Sequence, residues 1–259
     1  MTGSKFAPEG GILGKILRET RDSVAHGRPV LAVFDLDSTL FDLHFRVARI
    51  IDTFAQTPEY QARYPKECAA LKDIQILRSD WGIGEALVRL GMKEADHKEF
   101  YRDLHQFWAT WFFSDDYLKH DEPLPGSVEF VKELQRLGAQ IMYLTGRDIP
   151  RMMKGTVESL RDRGFPVEVD GVETILKPEA GMDDARFKVD ILKEAEKKYS
   201  KIWLFENEPV NLNLCAKECP NVGLVFIEST HSGREQVADT LDRIVHFEVD
   251  LEEFRKLQG

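Results

Sequence analysis

Two aspartates one residue apart close the apolar run in VLAVFDLDSTLFD, residues 30–42. Side chains alternate along a strand, so positions i and i+2 face the same way. Asp35 and Asp37 therefore point into one space if the extended backbone persists past Phe34. Two carboxylates there repel. The remedies are a cation, a shared proton or a raised pKa. Oxygen donors of this kind suit Mg²⁺, which also brings substrate phosphate with it. Other groups that handle phosphate stand at comparable places. QIMYL (140–144) leads into Thr145, Gly146 and Arg147, a hydroxyl beside an amide that a glycine leaves open. IWLF (202–205) leads into Glu206 and Asn207, more oxygen donors. Lys177 ends one apolar run and Lys188 opens the helical pattern DARFKVDIL; either can neutralise a phosphate.

These residues need a frame that gathers them at one edge. Val30–Phe34, Gln140–Leu144, Thr174–Leu176, Ile202–Phe205 and Val222–Ile227 read as buried strands. Helical spacing falls between them: SVEFVKELQRL (127–137) with Gly138 as its stop, then 150–163, 184–199 and 210–217. Strand alternating with helix predicts parallel pairing through right-handed crossovers. The expected fold is an α/β, Rossmann-like open parallel sheet with helices on both faces. Ligands of such sheets bind beyond the carboxyl ends of the strands.

From His44 to His120 the rhythm changes. RVARIIDTFAQ, GEALVRLGM and EFYRDLHQFWATWFF are helical and no strand is convincing. Pro123, Pro125 and Gly126 mark the return. The expected organisation is a core made of residues 1–43 and 121–259, with an all-helical subdomain, 44–120, inserted after the first strand.

The chain has 259 residues and a net charge of −10, which argues against a general nucleic-acid or anionic-membrane surface. No apolar run reaches the roughly 18 residues of a membrane helix. The opening MTGSKFAPEGGILGKILRET has no sustained apolar segment of the kind a secretory leader needs. Cys68, Cys215 and Cys219 form no even disulfide framework, and CAKEC lacks a matching second pair for a metal, so reduced, partly buried thiols and a cytoplasmic setting are expected.

DLDST at 35–39, LTGR at 144–147, a following lysine and a late acidic motif together resemble the four motifs of the haloacid dehalogenase-like (HAD) superfamily. The resemblance covers about residues 29–43 and 121–230. It implies a Rossmann-like core, a helical cap between the first and second motifs, and a Mg²⁺-dependent phosphatase acting on a small phosphorylated metabolite. Asp35 would be the nucleophile and Asp37 the acid and base. Thr145 and a lysine would hold the phosphoryl group. Thr39, Gly146, Arg147, His44 and Arg46 would meet substrate. Asp35, Asp37 through its carbonyl, Glu206 and Asn207 would hold the metal. Because TGR is present, Lys188 is preferred to Lys177 as the motif lysine. The late motif departs from the family: ENEPVN puts Glu206, Asn207 and Asn211 where aspartates are usual. A phosphotransferase or mutase, and a non-catalytic binding module, are the alternatives. The acidic FEVDLEEF points to no particular oligomer.

Other residues carry two readings. Arg147 alone would pair with a surface acid; His44 and Arg46 would serve as hinge or surface groups. Most of Phe107, Trp108, Trp111, Phe112 and Phe113 would form cap core, with a minority facing the site beside Asp116 and Tyr117. DWGIGEAL (80–87) reads as a turn or a mobile loop. Thr230, His231 and Ser232 follow the last strong strand, again at a ligand-facing end.

Overall fold

The computed structural model describes residues 11–256. Residues 1–10, half of the opening stretch considered as a leader, lie outside the described residues, as do 257–259. The described chain runs through α1 (Ile12–Ala25), β1 (Val30–Phe34), β2 (Phe41–Asp42), α2 (His44–Gln56), α3 (Pro58–Arg63), α4 (Pro65–Ala70), α5 (Ile83–Arg89) and α6 (Lys98–Phe112). It continues through β3 (Glu122–Pro123), α7 (Ser127–Arg136), β4 (Gln140–Asp148), α8 (Ile149–Asp162), β5 (Val172–Lys177) and α9 (Asp184–Glu196). Last come β6 (Lys201–Glu206), α10 (Pro209–Glu218), β7 (Val222–Ile227), β8 (Asp242–Ile244) and α11 (Leu251–Lys256).

Six strands form one parallel sheet in the order β5-β4-β1-β6-β7-β8. Every residue of β1 is buried. Val30, Ala32 and Phe34 enter the apolar cluster on one face, with α1 and α7; Leu31 and Val33 enter the other, with α9 and α10. A strand covered on both faces must be apolar throughout, which is why VLAVF lacks alternation. Each large side chain buried this way stabilises the fold by about 1.5–3 kcal/mol. β1 lies at the centre, with β4 on one side and β6 on the other, so the connections that leave it part in opposite directions. The crevice at such a point is the usual ligand site of an open α/β sheet.

The α/β parallel sheet matches the sequence expectation, with additions. The helix α1 was not expected, since Gly11 and Gly14 interrupt its start, yet Leu13, Ile16, Leu17 and Thr20 recur at helical spacing and are buried. The edge strand β8 is only three residues long. β4 does not stop at Leu144. It runs to Asp148, with a register shift against β5 between Thr145 and Asp148. Such an irregularity re-aims side chains, here Gly146 and Arg147.

The short strands β2 and β3 pair antiparallel, Phe41 with Pro123 and Asp42 with Glu122. Pro123, expected only to mark the return, thus lies within a strand. Between them, α2 to α6 and short 3₁₀ turns gather an apolar cluster of their own around Ile51, Phe54, Leu87, Phe100 and Leu104. The last 3₁₀ turn, Asp115–His120, lies on α8 so closely that a Cβ at Gly155 would come within 2.5 Å of the Asp115 carbonyl oxygen. Among the described residues no helix is long and apolar enough to cross a membrane.

Candidate active site

The ladder of β1 extends one residue further, because the Asp35 amide donates to the Phe205 carbonyl (3.0 Å). The chain then winds around the Leu36 carbonyl, which accepts from the amides of Thr39, Leu40 and Phe41. Ser38 takes a left-handed conformation in this turn (φ 60°), a geometry that costs a non-glycine residue free energy. The Ser38 carbonyl accepts from the Ser229 hydroxyl at 2.6 Å. A tight, tied turn thus sends both Asp35 and Asp37 to the wall of a cavity of about 480 Å³ beyond the strand ends.

Lys188, on α9, places its Nζ 2.6 Å from Asp35 Oδ1 and 2.6 Å from Glu206 Oε2. Lys177 is elsewhere. Its ammonium donates to Asp184 at 2.5 Å and to the carbonyls of Ala180 and Met182. Glu206 is fully engaged: Oε1 accepts the amides of Asn207 and Glu208, both at 3.0 Å, and Oε2 also accepts from Asn211 Nδ2 at 3.1 Å. Asn207 links three loops, accepting from the Thr39 hydroxyl (3.0 Å) and donating to the Thr230 carbonyl (2.7 Å). Burial pushes the Asp35 carboxyl up to about 7, against the pull of Lys188 and with the help of the Glu206 and Asp37 charges. Burial works against the Lys188 ammonium too, but Asp35 and Glu206 outweigh it and hold the proton firmly.

Asp37 meets a different partner set. Arg147 Nη2 donates to its Oδ1 at 2.6 Å and Nε to Oδ2 at 3.1 Å, while Arg46 Nη2 reaches Oδ1 at 2.7 Å. Behind them Asp121 accepts from Arg147 Nη2 (2.9 Å) and lies 2.9 Å from Arg46 Nε, at an angle too oblique for a hydrogen bond. Burial works to raise the Asp37 pKa, yet Arg147 and Arg46 outweigh it and hold the carboxyl well below the usual range. Asp121, deeper still, is pushed up to about 6 by burial, opposed by the same arginines. Arg46 is fully buried, its guanidinium 4.1 Å above the Phe112 ring, and Arg147 is 2% exposed. The surface readings of both arginines are therefore corrected: each is enclosed and answers a buried acid. Asp121 was not singled out in the sequence, and nothing in KHDEP distinguishes it from a loop acid.

The remaining candidates divide. Gly146, Arg147, His44 and Thr230 line the cavity. A Cβ at Gly146 would meet Asp184 Oδ2 at 2.6 Å, so a larger residue there would have to displace that carboxylate. Thr145 and Thr39 are fully buried beneath it. The Thr145 hydroxyl accepts the Arg147 amide (3.3 Å). His44 holds Asp42 at 2.6 Å. Of the aromatic run, Trp108, Phe112 and Phe113 reach the cavity and Phe107 and Trp111 do not. Asp116 and Tyr117 do not reach it either; Tyr117 packs on Trp111 at 5.4 Å. His231 accepts the Gly233 amide, and Ser232 bonds Glu208. The three cysteines are free and buried.

The donors at the strand-end wall are oxygens: the Asp35 and Glu206 carboxylates converge on one cationic atom, with Asn207 adjoining. Among the described residues no group of three or more His, Cys, Asp or Glu forms a cage. One or two carboxylates completed by water and substrate phosphate is how proteins usually hold Mg²⁺, so the donor set fits that ion.

Arg46→Ala leaves Asp121 buried with half its compensation. Removing one partner of a buried pair costs about 3–5 kcal/mol. Urea denaturation should show a loss of that size for Arg46→Ala, and a smaller one for Arg46→Lys.

A haloacid dehalogenase-like hydrolase family model matches residues 30–212. The chain belongs to this family. The matched range contains the Asp35 turn, the β4 bulge, Lys188 and Glu206. No curated protein matches the chain. Among solved structures, the HAD-hydrolase YfnB from Bacillus subtilis, bound to magnesium, is 12% identical with TM-score 0.50, covering 90% of this chain and 100% of that one. CbbY from Rhodobacter sphaeroides in complex with phosphate is 16% identical with TM-score 0.45, covering 84% and 94%. An archaeal β-phosphoglucomutase from Pyrococcus sp. strain ST 04 is 14% identical with TM-score 0.45, covering 89% and 100%. At these identities the likeness is one of fold.

Proposed function

We propose that this HAD-like hydrolase is a Mg²⁺-dependent phosphomonoesterase of small phosphorylated metabolites, with Asp35 as its nucleophile. The observation that carries the reading is the Asp35–Lys188–Glu206 contact on the cavity wall, with Asp37 two residues on and held by other partners. Lys188 supplies a fixed positive charge beside the attacking oxygen, where negative charge gathers as the ester is cleaved. Asp35 attacks phosphorus, the bond from phosphorus to the ester oxygen breaks, and that oxygen takes a proton as it leaves. Water then attacks the aspartyl-phosphate, gives its proton to a base, and restores the Asp35 carboxylate. In this reading Asp37 handles both transfers. Its pairing with two arginines keeps it ionised, the form that accepts the proton from water. Donating a proton in the first step requires that pairing to loosen.

Asp35, the Asp37 carbonyl, Glu206 and Asn207 would hold the Mg²⁺, with Lys188 or Asn211 giving up its bond to Glu206 Oε2. When bound, the ion would neutralise phosphate charge and orient the ester. YfnB carries magnesium in its own structure. The helices from α2 to α6 act in this reading as a cap over the site, with the β2–β3 pair as its neck, and select small substrates by enclosure. The test is phosphate release from sugar, nucleotide and amino-acid phosphates, with Mg²⁺ or with EDTA. The expected result is turnover of at least one ester that EDTA abolishes. A folded protein that releases no phosphate from any of them would overturn the reading.

A further inference from the structure

The cavity has two unlike ends. Toward the sheet it is charged, with Asp35, Arg147, Lys188 and Glu206; toward the helices Val47, Ile76, Leu77, Trp81, Trp108 and Phe112 form an apolar stretch, bordered by His44, Arg78, Asp80 and His105. A polyhydroxylated sugar placed against the apolar stretch itself would leave the hydroxyls that face it without partners, each at a desolvation cost. A flat apolar ring would gain from it.

Three of the aromatic rings are already engaged. Arg46 covers Phe112 at 4.1 Å, Arg151 lies 5.1 Å over Phe113, and Trp108 packs on Phe112 at 4.7 Å. Trp81 differs. It lines the cavity, is 55% exposed, and has no ring or cation partner among the described residues. Its turn is nevertheless built firmly. Asp80 accepts the Leu77 amide (2.8 Å) and both terminal nitrogens of Arg89 (2.7 and 2.5 Å), and Arg89 also holds the Gln75 carbonyl (2.8 Å). On the other side the Gly82 amide donates to Glu85 (3.3 Å) at the start of α5. The turn expected to be ordinary or mobile is a pinned one that presents an indole to the cavity, so little ordering cost remains to be met when a ligand stacks on it.

From these observations we infer that the substrate is a phosphomonoester whose other end is a planar aromatic ring, stacked on Trp81. The inference rests on the phosphoester reading for the charged end of the cavity. A volume of about 480 Å³ suits one nucleotide-sized molecule and not a polymer.

The test separates ring from phosphate. Equilibrium binding is measured by calorimetry on full-length Asp35→Asn protein with Mg²⁺. The ligands are adenosine 5′-monophosphate, cytidine 5′-monophosphate and pyridoxal 5′-phosphate, set against ribose 5-phosphate, which keeps the phosphate and sugar but lacks the base. At least one aromatic ester should bind about tenfold tighter or more, the range of a single stacked ring. Adding Trp81→Ala should remove most of that advantage, and Trp81→Phe should keep it. Because Trp81 is half in solvent, its removal leaves the fold intact. The inference is overturned if no aromatic ester binds tighter than ribose 5-phosphate, or if Trp81→Ala leaves the advantage whole. Wild-type turnover is read separately. Ring-dependent binding without release of phosphate from any ester would support the inference and overturn the phosphatase reading. Hydrolysis of ribose 5-phosphate with binding as tight as that of any aromatic ester would do the reverse.

Discussion

Asp35→Asn is expected to lower Mg²⁺-dependent phosphate release by about 10⁴-fold or more while the protein stays folded. An amide has no charge with which to attack phosphorus, and removing a covalent nucleophile forfeits the step it performs. The fold should tolerate the change. Asparagine keeps the shape, and Lys188 retains Glu206 as a partner at 2.6 Å. A second signature follows from burial. The Asp35 carboxyl, pushed up to about 7 from an ordinary 3.8, binds a proton more tightly folded than unfolded. In that interval the folded state holds the extra proton, so without Mg²⁺ this group favours folding below about pH 4. The contribution is lost as pH climbs toward 7. Asp35→Asn should flatten that part of the stability curve. Denaturation midpoints of both proteins between pH 4 and 7 check this. A variant as pH-dependent as the wild type would mean that Asp35 is not the group responsible.

The second large effect is expected at Lys188. In Lys188→Ala, Asp35 and Glu206 face each other, buried, without the ammonium both of them bond. Loss of a fixed charge of this kind costs about 10²–10³-fold in turnover. Loss of a buried ionic partner costs about 3–5 kcal/mol of stability. Lys177→Ala breaks only the Asp184 pair and two carbonyl contacts at the end of β5. Its turnover should stay within about tenfold of wild type, a change of about 1.4 kcal/mol in barrier. Parallel kinetics and urea titrations of the two variants separate the lysines. If Lys188→Ala keeps full turnover and Lys177→Ala loses it, the roles assigned to them are reversed.

Much of this site could be read from short-range pattern. Asp35 and Asp37 end a strand apolar on both faces, and the turn around the Leu36 carbonyl brings both to the cavity wall. Thr145 and Glu206 lie toward the carboxyl ends of β4 and β6, where the apolar runs QIMYL and IWLF give way to polar residues. Lys188 is preferred to Lys177 from its motif context, and its Nζ lies 2.6 Å from Asp35 Oδ1. What could not be read were long-range pairings between polar residues. Arg46 and Asp121 lie 75 positions apart in the sequence, and no periodicity marks a buried arginine or the acid that answers it. Helical spacing alone did not decide which aromatics face the cavity; the rotational setting of α6 turns Trp108 and Phe112 toward it and Phe107 and Trp111 away, and Phe113 follows the helix end. The β4 bulge escaped as well, because TGR reads as a strand stop until the neighbouring β5 is present to pair with Asp148. Short elements such as β8 and the β2–β3 pair offer too few residues for any period to register.

The central claim is that Asp35 carries the phosphoryl group between substrate and water. The most direct measurement is acid-quench trapping during turnover of a ³²P-labelled ester with Mg²⁺, followed by proteolysis and peptide mapping. Label on the peptide containing Asp35, absent when Asp35→Asn is used and lost on chase with unlabelled ester, is the predicted result. Phosphate release at full rate with no label on that peptide, or with label retained in Asp35→Asn, would contradict it.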